Sequence, residues 1–203
     1  MHVVTEPGVA GAAPERLELR FSGSGGQGII LAATLTAAAA TQAGRRVVQT
    51  QSYGPEARGG ASKAEVIIDR EAIDFPEVDA PDITVCLSQP AWEKYAGLTR
   101  RGGLLLYDSG LVTPCGESEE RDLVGIPFTE IADRELGKTV AANIVALGAL
   151  LAISGFAPPA AVEDAIEARL PAKIVDLNLL ALDLGRTHGA AARERISAAV
   201  EVV

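Results

Sequence analysis

The stretch that decides the fold is FSGSGGQGIILAATLTAAAA, residues 21–40, where the end of a strand meets a glycine-rich turn and a long apolar helix. Gly23, Gly25 and Gly28 fit the pattern G-x-G-x-x-G. In that pattern backbone amides approach a pyrophosphate, and the amino end of the helix faces its negative charge. A turn that only connects a strand to a helix gives the same pattern, so the motif alone leaves both interpretations open.

Strand and helix patterns alternate on both sides of this turn. RLELRFSG (residues 16–23) and RRVVQTQSY (residues 45–53) predict strands, and the alternating SKAEVIID (residues 62–69) predicts a strand that pairs antiparallel at a sheet edge. Three short apolar runs predict buried parallel strands at residues 82–88, 103–109 and 123–128.

From Thr129, a predicted helix cap, the patterns are helical only. The whole series predicts one α/β domain with a doubly wound, mostly parallel, Rossmann-like sheet and a helical carboxyl-terminal part. The glycine turn is expected at the carboxyl end of the first strand. Residues 1–15 are predicted to be a flexible tail, residues 16–188 the domain, and residues 189–203 an extension.

Composition agrees with this fold and excludes one class of partner. Apolar residues make up 48% of the 203 residues but aromatic residues only 4%, so the core must consist of Ala, Val, Leu and Ile. Such cores are common in helix-covered parallel sheets. With 18 Lys and Arg against 27 Asp and Glu, the net charge is −9, and no basic stripe is present. Nucleic-acid binding is therefore not expected.

The two cysteines, Cys86 and Cys115, have no partner at C-x-x-C spacing and cannot alone supply the four thiolates of an iron–sulfur cluster. Both are predicted to be free thiols.

The amino-terminal residues lack the basic and apolar regions of a secretory leader, which makes the cytoplasm the expected location. The apolar residues 140–156 are interpreted as a buried helix because they contain Asn143 and Ser154 and many small residues.

The sequence lacks residues that dinucleotide binding, nucleophilic catalysis and metal binding would need. A dinucleotide site needs an acidic residue at the end of the second strand, about 20 positions beyond the turn. The sequence there is VVQTQSY, which has none. His2 lies in the predicted tail and His188 near the end of the last predicted helix, and neither cysteine has an identifiable histidine neighbour. No metal-binding spacing occurs. The chain has a turn suited to a ligand but no catalytic group of its own.

The loop QSYGPEARGG, residues 51–60, places Tyr53, Glu56 and Arg58 between two glycine-containing turns. Such a loop can bring a guanidinium close to a carboxylate or a phosphate with bidentate geometry. A surface loop with solvated charges is the alternative from these residues alone.

Several segments, taken together and in order, resemble the gamma subunit, or gamma domain, of thiamine-diphosphate-dependent 2-oxoacid:ferredoxin oxidoreductases. They are SGSGGQGIILAATLTAAAA, QSYGPEARGGASKAEVII, DITVCLSQPAWEKY, GGLLLYDSGLV, ANIVALGALL and DLNLLALDLG, within residues 17–185. The pair GGQG and YGPEARGG is the specific feature. The 2-oxoglutarate, indolepyruvate and phenylglyoxylate branches resemble it most.

This resemblance implies one subunit of a larger enzyme that oxidatively decarboxylates a 2-oxoacid to acyl-CoA and CO2 while ferredoxin is reduced. Thiamine diphosphate with Mg²⁺ and [4Fe-4S] clusters are then expected on alpha, beta and ferredoxin-like partner chains, and this chain is expected to be inactive alone. The resemblance also implies that this chain helps to form the coenzyme A site and a subunit interface.

The implied cofactor-binding residues lie in the turn and the loop: Gly23, Gly25, Gly26, Gln27, Gly28, Tyr53, Glu56 and Arg58. No catalytic residue, metal ligand or membrane span is expected. Two other functions remain as alternatives. One is a stand-alone nucleotide-binding oxidoreductase, which the missing ribose-binding acid disfavours, and the other is a non-catalytic accessory protein.

Overall fold

The computed structural model describes residues 14–51, 60–116 and 120–200, with side chains to residue 196. Tyr53, Glu56 and Arg58 lie outside the described residues. Within them the strands are β1 (Arg16–Ser24), β2 (Arg46–Gln51), β3 (Ala61–Asp69), β4 (Ile83–Cys86), β5 (Leu104–Asp108) and β6 (Asp122–Ile126). The α-helices are α1 (Ile29–Gln42), α2 (Gln89–Tyr95), α3 (Phe128–Leu136), α4 (Ala142–Ser154), α5 (Pro159–Arg169) and α6 (Ala172–Val200).

The strands form one six-stranded sheet in the order β2-β3-β1-β4-β5-β6. The pairs β1–β4, β4–β5 and β5–β6 are parallel, whereas β3 is antiparallel to both β1 and β2. All strands except β3 therefore run in the same direction. This mixed α/β sheet with a helical carboxyl-terminal part confirms the predicted fold class.

Helices cover both faces of the sheet. The larger core joins one face of the strands to α1, α3, α4, α5 and α6, with Leu19, Phe21 and Leu106 among its buried strand residues. On the other face α2 packs its Trp92 against Cys86 and Leu105 in a smaller core. Because α1 and α2 lie on opposite faces, the sheet is doubly wound around β1 and β4.

Three details differ from the sequence predictions. Strand β3 is antiparallel as predicted, but it lies inside the sheet between β2 and β1, so that β2 is the edge strand. Strand β6 forms the other edge, and its Leu123 is exposed rather than buried. Strand order depends on contacts between distant segments, and these leave no mark in a local pattern.

The third correction concerns the start of α3. Thr129 is not its cap, because Pro127 occupies that position and its side chain makes no capping hydrogen bond. Instead, the backbone amide and the hydroxyl of Thr129 donate to the carboxylate of Asp108, at 2.9 and 2.6 Å. A fully buried acid from the end of β5 thus satisfies the first turn of the helix.

The main helical contact of the carboxyl-terminal half joins α4 to α6. Helix α4 is buried along most of its length and packs against α6, as expected for an apolar helix inside the domain. No helix within the described ranges is both long and apolar enough to cross a bilayer. Helix α6 continues through residue 188 to Val200, and the domain bounds predicted from the sequence stay a prediction.

Candidate functional site

The glycine turn follows the carboxyl end of β1, at the point where the connections of the sheet change direction. The chain leaves β1 toward β2 on one side, and later returns to place β4 on the other side. In open α/β sheets such a switch point leaves a crevice outside the carboxyl ends of the strands, and ligands bind there. The predicted turn therefore lies at the position where the topology favours a ligand.

The predicted glycines of the turn fall into two groups. Gly25 and Gly26 are exposed, and Gly26 has φ +87° with no atom within 4 Å of the position that a Cβ would occupy. Gly23 is buried, and a Cβ there would lie 2.7 Å from the side-chain oxygen of Gln27. Only Gly25 and Gly26 are open to a ligand. At Gly23 the absence of a side chain leaves space for the side chain of Gln27.

Gly28 begins the helix from a left-handed conformation, with φ +70° and ψ 22°. Its carbonyl oxygen accepts a hydrogen bond of 3.1 Å from the side-chain amide of Asn143, and a Cβ at this position would collide with that same amide group. Glycine is thus required here for its backbone conformation and for close contact with α4. Asn143 is a member of the site that the sequence patterns did not identify, although it is a polar residue in a helix whose other buried residues are apolar.

The amino end of α1 carries no compensating group of its own. No side chain caps the helix at Gly28, and its first turn contains no acidic residue. The free amides of a helix amino terminus and the aligned peptide dipoles favour negative charge. The exposed glycines and this uncapped helix end together form a surface suited to a phosphate or a carboxylate.

Gln27 uses its side chain to connect two strands. The backbone amide of Ser24 donates to its Oε1 over 2.6 Å, and its Nε2 donates to the carbonyl oxygen of Leu87 over 2.7 Å. Gln27 was predicted as a ligand-binding residue, but in the structure both polar atoms of its side chain bind protein backbone. The turn is consequently tied to the segment that follows β4.

The strands that precede and follow the second predicted motif meet at the same edge of the sheet. Strand β2 ends at Gln51, and in the pairing of β1 with β3 Ala61 lies opposite Ser24, directly before the glycine turn. The described residues on either side of positions 52–59 therefore lie at the carboxyl edge of the sheet. A site shared by the two motifs stays a prediction, since Tyr53, Glu56 and Arg58 lie outside the described residues.

The remaining reactive groups of the described residues include two cysteines. Among the described residues no group of three His, Cys, Asp or Glu side chains could hold a metal ion. Cys86 is buried and Cys115 exposed, and both are free thiols as predicted. Burial raises the pKa of the Cys86 thiol to about 12, against the opposing effect of a hydrogen bond from Ser22. A thiol with so high a pKa is not a nucleophile at neutral pH.

Comparison with known proteins gives a consistent result. The pyruvate ferredoxin/flavodoxin oxidoreductase family matches residues 18–188. The 2-oxoglutarate synthase subunit KorC of Methanocaldococcus jannaschii is 48% identical over 172 residues, which span 84% of this chain and 92% of KorC.

Solved structures agree in fold. The gamma subunit of a keto/oxoacid ferredoxin oxidoreductase from Geobacter sulfurreducens superposes with a TM-score of 0.80 at 42% identity, covering 87% of this chain and 98% of that one. A second solved structure is the 2-oxoglutarate:ferredoxin oxidoreductase of Magnetococcus marinus with 2-oxoglutarate, coenzyme A and succinyl-CoA bound. It superposes with a TM-score of 0.79 at 25% identity. There the match covers 88% of this chain but 32% of the longer chain. The chain therefore belongs to the pyruvate ferredoxin/flavodoxin oxidoreductase family, which confirms the resemblance seen in its ordered motifs.

Proposed function

We propose that this chain is the gamma subunit of a 2-oxoglutarate:ferredoxin oxidoreductase, and that its glycine turn binds phosphate groups of coenzyme A. The observation that carries the proposal is the position of the turn. Its exposed glycines and the uncapped start of α1 lie at the switch point between β1 and β4, where a phosphate can be held by backbone amides. The similarity to KorC supports 2-oxoglutarate as the first substrate to test.

The chemistry must be divided among several chains. A sequence with two cysteines cannot hold a four-thiolate cluster, and the described residues contain no metal-binding group. We place thiamine diphosphate, Mg²⁺ and the iron–sulfur clusters on alpha, beta and ferredoxin-like partners. No reaction step is assigned to side chains of this subunit. Its role is to bind and orient coenzyme A for acyl transfer and to contribute a subunit interface in a cytoplasmic complex.

Within the turn, Gly25 and Gly26 are the residues whose amides are assigned to phosphate. Gly23, Gln27 and Gly28 support the turn through contacts within the protein. Arg58 is proposed as the charged group of the loop that approaches the ligand. Tyr53 and Glu56, which flank it in sequence, are proposed to shape the same loop.

Purification of the tagged chain from its source tests the assembly. Thiamine-binding and ferredoxin-like chains should co-elute with it, and the complex should reduce ferredoxin when supplied with 2-oxoglutarate and coenzyme A. Pyruvate and indolepyruvate are the comparison substrates. Turnover of a 2-oxoacid by the isolated chain, or elution of the chain alone, would exclude the proposed role.

A matched pair of glycine substitutions tests the coenzyme A site in the assembled complex. Gly26 and Gly44 have φ of +87° and +81°, and neither has an atom within 4 Å of a Cβ position. Alanine therefore causes similar backbone strain at both, but only Gly26 lies in the turn. We expect Gly26→Ala to raise KM for coenzyme A about tenfold, the equivalent of about 1.4 kcal/mol, and Gly44→Ala to leave it unchanged.

Arg58→Ala tests the loop in the same assay. Loss of one charge-assisted hydrogen bond should weaken coenzyme A binding by roughly 1.5–3 kcal/mol while thiamine and cluster contents are retained. Unchanged coenzyme A kinetics in fully assembled Gly26→Ala and Arg58→Ala complexes would show that the turn and the loop do not bind this ligand.

A further inference from the structure

The carboxamide of Gln27 occupies the place of a backbone hydrogen bond between β1 and β4. The last bond of this parallel ladder runs from the amide of Leu87 to the carbonyl of Ser22, at 2.9 Å. In regular parallel pairing the next bond would run from the amide of Ser24 to the carbonyl of Leu87. These are the two groups that Gln27 connects, at 2.6 and 2.7 Å.

This insertion separates the ends of the two strands. A direct ladder bond would bring the Ser24 nitrogen to about 2.9 Å from the Leu87 oxygen. The inserted carboxamide instead keeps both groups hydrogen-bonded while holding them apart by the width of an amide. The gap opens at the switch point, and the exposed residues Gly25 and Gly26 follow Ser24 directly in the chain.

Gly23 is adapted to this arrangement. A Cβ at Gly23 would lie 2.7 Å from Oε1 of Gln27 and 3.1 Å from Cγ2 of Ile29, so any side chain would displace the carboxamide. The φ of Gly23 is not positive, unlike those of Gly26 and Gly28. Its lack of a side chain is therefore required for space and not for backbone conformation.

We propose that Gln27 is a positioning residue for coenzyme A, one that acts through the backbone amides of the glycine turn. The inference rests on the proposed function and extends it to a residue that need not touch the ligand. By replacing one ladder bond, the carboxamide keeps the ends of β1 and β4 apart and fixes the turn that carries Gly25 and Gly26. Asn143 holds the other end of the same turn through the carbonyl of Gly28.

Gln27→Met in the assembled complex removes both hydrogen bonds and keeps a similar side-chain length. We expect KM for coenzyme A to rise about tenfold, with kcat at saturating coenzyme A and KM for the 2-oxoacid within twofold of wild type. Gln42→Met is the control, because Gln42 lies at the far end of α1 and, among the described residues, its side chain bonds only the exposed Asp164. It should change none of these constants.

Gln27→Glu gives a readout that a general loss of structure would not give. The introduced carboxylate can accept from the amide of Ser24, but its second oxygen faces the carbonyl oxygen of Leu87 and needs a proton there. The ratio of its KM for coenzyme A to that of wild type should therefore fall as the pH is lowered from 8 to 6. The same ratio for Gln27→Met should not depend on pH.

Hydrogen exchange tests the bridge without any activity measurement. In Gln27→Met the amide of Ser24 should lose protection, whereas the amide of Leu87 should keep it through its bond to Ser22. Unchanged protection of Ser24 would overturn the proposal. An equal rise in KM for the 2-oxoacid, or a Gln27→Glu ratio that does not change with pH, would also overturn it.

The two proposals can fail separately. If Gly26→Ala raises KM for coenzyme A and Gln27→Met does not, the positioning role is wrong and the coenzyme A site stands. If neither variant changes that constant in a complete complex, the proposed site fails, and the role of Gln27 fails with it.

Discussion

Substitution of the buried acid Glu65 should destabilise this domain far more than loss of an exposed ion pair of similar length. Arg20 and Glu65 pair across β1 and β3 at 2.7 Å, and their side chains are 2% and 8% exposed. The pair uses Nε of Arg20. Of the two terminal nitrogens, Nη2 donates to the carbonyl of Val78 at 2.7 Å, while Nη1 has no partner within the described part of the chain. The ring of Tyr95 lies 5.7 Å from the guanidinium carbon.

The expected magnitude follows from these contacts. Removal of one partner of a buried ion pair costs about 3–5 kcal/mol, because the other charge stays buried without compensation. In Glu65→Gln the remaining amide oxygen can still accept from Arg20, which favours the lower end, about 3 kcal/mol. Lys63, which also donates to Glu65, is 30% exposed and can turn toward water, but Arg20 cannot.

Glu120→Gln is the matched control. Glu120 pairs with Arg101 at 2.8 Å, but these side chains are 56% and 82% exposed. Exposed pairs contribute about 0–1 kcal/mol. Urea unfolding of the purified chain should therefore give a clearly lower midpoint for Glu65→Gln and a nearly unchanged one for Glu120→Gln, with the same slope for both.

A thermal scan gives a second measure of the same loss. For a chain of this length about 3 kcal/mol corresponds to a decrease in Tm of about 6–12 °C. Arg20→Met combined with Glu65→Gln should cost at least about 2 kcal/mol less than the sum of the two single changes, since the uncompensated charge is then absent. Equal destabilisation by Glu65→Gln and Glu120→Gln, or strict additivity in the double variant, would refute the reasoning.

Three further results are expected from the purified chain. Gly185→Ala should destabilise it by about 1–3 kcal/mol or more in urea, because the new methyl group would collide with the carbonyl of Val145 in α4; a loss below about 0.5 kcal/mol would contradict this contact. Ellman's reagent should titrate Cys115 in the native chain and Cys86 only after denaturation, since the Cys86 thiol is buried and its pKa raised to about 12; two reactive native thiols would be the opposite result. A backbone amide and an arginine hold the pKa of Asp69 below its ordinary value, so its contribution to stability is present above about pH 4 and is lost as the pH falls through the folded-state value. Asp69→Asn should reduce the dependence of the urea midpoint on pH in that acidic range. An unchanged pH dependence would argue against a lowered pKa of Asp69.

Much of the fold was predictable from the sequence because its signals are local. Hydrophobic periodicity and glycine-rich turns depend on neighbouring residues, and they correctly located β1, the turn and α1. The pairing direction of β3 followed in the same way from its alternating pattern. The absence of enough cysteines for a cluster is a property of composition, and the ordered motifs identified the family.

Other features were decided only by the tertiary structure. The position of β3 inside the sheet depends on which strands it meets, and the capping of α3 by Asp108 joins residues that are distant in the chain. Gln27 is recognisable in sequence as part of the turn, but its bond to Leu87 exists only because β4 lies beside β1. A buried donor or acceptor must be satisfied by whichever group is nearby in space, and sequence patterns do not record that distance.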